Sequence, residues 1–167
     1  AGGPPGDLVV ADPAALARMP GAVQTYRAAL ALVGGDLGGT VRHAELALDR
    51  AAADDHLTTA SASALVGLAS WATGDLAVAH ASYRVATENL LRVGHLSDVL
   101  GCTVSLADID LVRGRLGDAE RSCREALALV PATAALRGAA DLHVQLSRVA
   151  AARGDLPGAA EQLRRAE

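Results

Sequence analysis

The chain is 167 residues long and 51% apolar but only 2% aromatic, with one Trp, two Tyr and no Phe. All 15 of its cations are Arg and its net charge is −4, which excludes the lysine of a phosphate-binding loop, the lysine of Schiff-base chemistry and the basic surface of a nucleic-acid binder. Ala, Leu and Val supply most of the apolar content, and because Ala and Leu are the strongest helix formers the composition predicts an all-α chain.

The first residues are Gly and Pro, without the charged region of a signal peptide. Arg, Asp or Gly interrupts each apolar run before it reaches the roughly 18 residues of a membrane span. Two widely separated Cys are the complement expected of a reducing cytoplasm. The segment 1–20 reads as a linker or lead-in: its opening Gly and Pro residues cannot hold a helix, and Asp12-Pro13 starts one that Pro20 confines to a short turn over 14–19.

From Gly21 the chain becomes periodic. Gly35-Asp36-Leu37, Gly74-Asp75-Leu76, Gly114-Arg115-Leu116 and Gly154-Asp155-Leu156 repeat at intervals of 39, 40 and 40 residues, the mark of a helical-hairpin solenoid. In each phrase the Gly closes one helix in the left-handed conformation and the Asp caps the next. First helices are predicted over 22–33, 57–72, 96–112 and 135–152, and second helices over 38–52, 77–93, 117–130 and 157–166, with a short link near Pro131. Five residues after each Gly stand Thr40, Ala79, Ala119 and Ala159; nine after, Ala44, Tyr83, Cys123 and Leu163; twelve after, Ala47, Ala86, Ala126 and Ala166. These positions share one face of the second helix, where it packs closely on the first. The expected fold is therefore a right-handed superhelix of about four helix-turn-helix repeats spanning 21–167. This layout resembles the tetratricopeptide repeat in a lengthened form, about 40 residues in place of 34.

Five further runs narrow the resemblance: Tyr26-Arg-Ala-Ala-Leu-Ala-Leu32, Gly67-Leu-Ala-Ser-Trp-Ala-Thr-Gly-Asp-Leu76, Gly94-His-Leu-Ser-Asp-Val-Leu-Gly-Cys102, Leu106-Ala-Asp-Ile-Asp-Leu-Val-Arg-Gly-Arg-Leu116 and Leu136-Arg-Gly-Ala-Ala-Asp-Leu-His143. Together they resemble the helical-repeat region of large ATP-binding LuxR-type transcriptional regulators related to the maltose-regulon activator. The resemblance implies a sensor or interaction region set between an ATPase switch domain and a DNA-reading tail, neither of which these residues contain. It also implies that the last helix continues past Glu167. A free-standing adaptor for a peptide or protein is the alternative.

In such a stack the first helices line the concave side. Repeat phase places Thr25, Ala29, Leu32, Ser61 and Ala64 there, together with Leu68, Trp71, Val104, Asp108, Leu111, Asp141, Val144 and Arg148, the candidate groove for a small effector or a protein partner. Trp71 reads either as a groove contact or as core packing. Asp108 and Arg148 hold equivalent places in neighbouring units, and read either as a bridge between them or as a clamp on a polar ligand. His43, His56, His80, His95 and His143 are dispersed, without the i, i+4 pair of a helix-borne metal site. Ser61, Ser63 and Ser70 lack a His–Asp partner, and Asp108 and Asp110 point to different faces. The expectation is a non-enzymatic module without cofactor or metal, with self-association through exposed solenoid ends. Cys102 and Cys123 read as buried core thiols whose proximity the spacing leaves open.

Overall fold

The computed structural model describes residues 11–131 and 136–167. Within them the chain forms eight α-helices: α1 (Pro13–Val33), α2 (Leu37–Leu48), α3 (His56–Ala72), α4 (Leu76–Val93), α5 (Leu96–Val112), α6 (Leu116–Ala128), α7 (Ala139–Ala152) and α8 (Leu156–Ala166). They pair as four hairpins, α1–α2 through α7–α8, each packed on the next.

The hairpin turn is built the same way every time. At the end of α3 the Asp75 N–H reaches back to the Ser70 carbonyl at 2.8 Å and the Gly74 N–H to that of Trp71 at 3.0 Å. This double closure requires a positive φ, 84° at Gly74, where a side chain would be strained. The carboxylates of Asp36, Asp75 and Asp155 then cap the next helix at the N–H of Gly39, Val78 and Gly158. A fifth copy, Gly94-His95-Leu96, joins α4 to α5, with the His95 N–H on the Leu90 carbonyl at 3.1 Å. The links between the first and second and the third and fourth hairpins are longer.

Several helix boundaries differ from expectation; the second helix expected to reach residue 52, for one, ends at Leu48. The turn expected over 14–19 and the helix expected from residue 22 are one helix, α1, which passes through Pro20. Leu16 and Pro20 both lie on the exposed side, so water can serve the Leu16 carbonyl that the proline leaves without a donor. Helix α6 ends at Ala128, and α7 starts at Ala139 behind Gly138. The start expected at residue 135 lies outside the described residues.

Packing follows the repeat. Ala44, Ala47, Ala79, Ala86, Ala119 and Cys123 are fully buried, and small side chains there let second helices lie close against first ones. The core comes in three clusters: around Ala28, Ala44 and Ala62, around Tyr83, Leu90 and Ile109, and around Leu100, Leu142 and Val149. Each is shared by adjacent hairpins, the nearest-neighbour cohesion of a solenoid.

Candidate functional site on the first-helix face

Helix α1 lies against α3 and α5 against α7, whereas α3 and α5 stand further apart. An open cavity of about 420 Å³ lies between α3 and α5. One wall is Ala60, Ser61, Ala64 and Leu68 of α3; the other is Ser97, Asp98, Gly101, Cys102 and Ser105 of α5. Tyr83 and Leu90 come in from α4, and Arg137, Gly138 and Asp141 close one end from the start of α7. Both walls are stripes at helical spacing, made mostly of Ala, Ser and Gly, so the helices leave room between them.

Tyr83 explains much of this arrangement. Its ring fills the seam between α3 and α4, where Gly67 leaves space; a Cβ there would sit 3.0 Å from ring atoms Cδ2 and Cε2. Trp71 meets the ring edge-on, with centroids 6.4 Å apart and planes at 87°. The residue is 3% exposed, yet its hydroxyl has no hydrogen-bond partner. Burial raises the phenol pKa; the nearby Ser105 hydroxyl lowers it by a smaller amount without completing a hydrogen bond. Buried hydroxyls are nearly always partnered, which makes this one conspicuous.

The expected groove residues separate into two groups. Ser61, Ala64, Leu68 and Asp141 line the cavity. Trp71 packs against the central core cluster beside it. Val104 and Leu111 are half-buried against the cluster between the third and fourth hairpins, with Val144 38% exposed. Arg148 donates to Asp108 across α5 and α7, and also to the Gln145 amide oxygen at 2.8 Å. Sequence reasoning left out Tyr83, Ser105 and the α5 wall. A signal was there: Tyr83 stands where other units carry Ala44 and Cys123, and Gly67 where they carry Ala28 and Ala107.

The histidines act as polar ties between helices. His43 meets Gln24 at 2.8 Å, His56 meets Asn89 at 2.9 Å and His143 meets Gln162 at 2.9 Å; His80 meets Asp110 at 3.2 Å. Among the described residues no three His, Cys, Asp or Glu side chains gather as metal ligands, and no helix is long and apolar enough to cross a membrane. Cys102 and Cys123 are free thiols in separate core clusters. Burial, aided by nearby carboxylates, pushes their pKa values up to about 11 and about 12, so both stay protonated and poorly nucleophilic near neutrality.

Stacked hairpins with an open first-helix face define a helical-repeat scaffold. A family model for the MalT-like TPR region matches residues 21–167, and the chain belongs to that family. Among solved structures, BtubC (BKLC) from P. vanneervenii has a similar fold, with a TM-score of 0.75 and 20% identity. That match covers 96% of this chain but 65% of the other. No curated protein matches the chain.

Proposed function

We propose that this chain is the sensor and interaction region of a LuxR-type regulator of the MalT-like kind, acting in the cytoplasm without catalytic chemistry of its own. It binds a small effector or a protein partner on the first-helix face, and other domains of the regulator carry ATP and DNA. The observation behind this reading is the cavity between α3 and α5, of the size small ligands occupy. Because its walls belong to neighbouring hairpins, a ligand there favours one spacing of those hairpins over others, and this differential affinity is what shifts a conformational population. The net charge of −4 speaks against DNA contact by this segment itself.

Thermal denaturation against a panel of sugars, small metabolites and short peptides tests the reading. A hit should stabilise the chain and lose its effect in Leu68→Asp, since Leu68 is 42% exposed on the cavity wall and outside the core. A hit unaffected by that change would place binding elsewhere.

The alternative, a free-standing adaptor that docks a protein, draws on a different feature. Leu16, Met19, Val23, Tyr26, Leu30 and Val33 follow the 3–4 spacing of a coiled-coil seam on α1, and all six are exposed. The same stripe is the surface through which we expect the isolated chain to self-associate. Tyr26 and Leu30 are more than two-thirds exposed, at 73% and 71%, so Tyr26→Glu with Leu30→Glu should spare the fold while reducing the mass measured by light scattering. A chain that is monomeric before substitution removes the self-association proposal.

A further inference from the structure

The cavity between α3 and α5 has a polar floor, an apolar middle and an acidic rim, an order that selects for ligand chemistry. At the floor is the Tyr83 hydroxyl, fully enclosed and without a partner. Beside it, Ser105 gives its own hydroxyl only a long 3.5 Å bond to the Gly101 carbonyl, so neither hydroxyl is fully bonded. Above them Ala60, Ala64, Leu68 and Leu90 present only hydrocarbon. At the rim stand Asp98 and Asp141 against Arg137, two negative charges to one positive. His95 touches Asp98 at 3.4 Å, on an exposed side chain.

The dimensions are set by α5. Asp98 and Ser105 are seven residues apart, about 10.5 Å along a helix. A ligand that satisfies both ends therefore carries a hydroxyl at one end, a cation at the other and a flat apolar body between. We propose that this cavity binds a small hydroxylated aromatic amine, its hydroxyl bonded to Tyr83 and Ser105 at the floor and its ammonium held by Asp98 and Asp141 at the rim. The proposal rests on the reading of this chain as an effector-binding repeat region and names the chemistry of that effector. An anionic group in place of the ammonium meets two carboxylates, and a body without the hydroxyl leaves the Tyr83 phenol as it is now, desolvated and unpaired, which is the basis of selectivity in buried polar sites.

The test is a titration of the 167-residue chain with three probes of one shape: tyramine, phenethylamine and 3-(4-hydroxyphenyl)propionate. Calorimetry supplies affinities. Emission from Trp71, excited where phenols do not absorb, reports locally because its ring meets Tyr83. Tyramine should bind saturably, phenethylamine at least about tenfold more weakly for want of the hydrogen bonds to Tyr83 and Ser105, and the propionate not measurably. Tyr83→Phe should keep the melting temperature and weaken tyramine toward the level of phenethylamine, leaving phenethylamine unchanged. Asp141→Asn should weaken both amines alike.

Equal binding of tyramine to Tyr83→Phe, binding of the propionate as tight as tyramine, or no saturable tyramine binding would each overturn the amine assignment. The wider reading fails separately. If the amines do not bind but a member of the thermal panel does, and Leu68→Asp abolishes it, the effector region stands and only its ligand class is wrong. If nothing binds in either experiment, the amine assignment and the small-effector form of the reading are both wrong.

Discussion

Residue 115 shows how a departure from the repeat is absorbed. Where Asp36, Asp75 and Asp155 cap their helices, Arg115 makes no side-chain cap. Its guanidinium turns back instead, with Nε 2.9 Å and Nη2 2.5 Å from Asp110 Oδ1. The Asp110 side chain is only 4% exposed and also meets His80 Nε2 at 3.2 Å. At the repeat position of Asp110 the other units carry Ala31, Ser70 and Ala150, so the two exceptions are one exchange: a buried carboxylate appears where the cap gives way to its cation. Arg115→Ala leaves that carboxylate with His80 alone and should cost about 3 kcal/mol. Converting the pair to the second unit's pattern, Arg115→Asp with Asp110→Ser, restores a cap worth about 1 kcal/mol and removes the buried charge. Urea denaturation should therefore find the double variant clearly more stable than Arg115→Ala. Equal midpoints would show that the two positions are not coupled.

At the scale of elements, hairpins α3–α4 and α5–α6 solve the same contact with different volumes: Gly67 with Tyr83 in one, Ala107 with Cys123 in the other. Gly67→Ala pushes a Cβ to 3.0 Å from the Tyr83 ring and should destabilise by about 1–3 kcal/mol through overpacking. Adding Tyr83→Cys recreates the pair used by α5–α6 and should recover part of that loss, so the two changes are non-additive. Additive melting temperatures would mean that the ring moves aside freely.

Much of this level was legible in the sequence, because turn chemistry and small-residue phase are local. The four Gly phrases marked the four hairpin turns, and positions five, nine and twelve after each Gly pointed at the buried face. The course of α1 through Pro20 was not legible, since a proline breaks a helix or is tolerated according to which side meets solvent. The candidate site was legible only in part. Ser61, Ala64, Leu68 and Asp141 came from repeat phase, but the cavity exists because α3 and α5 stand apart, and no local pattern encodes the distance between helices of adjacent hairpins. Tyr83 was visible as an odd residue on the packing face, without any indication that its hydroxyl is unpartnered.

At the scale of the molecule, cohesion between the third and fourth hairpins combines the apolar cluster around Leu100 and Leu142 with two polar ties. One is Asp108 with Arg148; the other is Glu120, held by Arg153 from α7 and by Arg124 at 2.7 Å. Those hydrogen bonds, Arg153's first and Arg124's second, hold the Glu120 carboxyl below its ordinary pKa. A lowered folded-state pKa gives stability that is present above the unfolded value of about 4.3 and lost as pH falls through the folded value. The Glu120 side chain is 26% exposed, so its contribution is of the order of a surface pair, about 1 kcal/mol or less. Glu120→Gln should melt below the parent protein at neutral pH, and the difference should close below about pH 4 as the parent's carboxylate protonates. A gap that persists in acid would assign the loss to packing.

The tight Gly94 turn has a mechanical consequence. It joins α4 to α5 by the same double closure that joins the two helices inside a hairpin, so tight turns alone connect the plate of helices α3 through α6. Longer connections lie at its two edges, between α2 and α3 and between α6 and α7. The cavity sits within the plate but takes its closing residues, Arg137, Gly138 and Asp141, from across the second edge. A molecule filling that space would touch both sides of that edge at once.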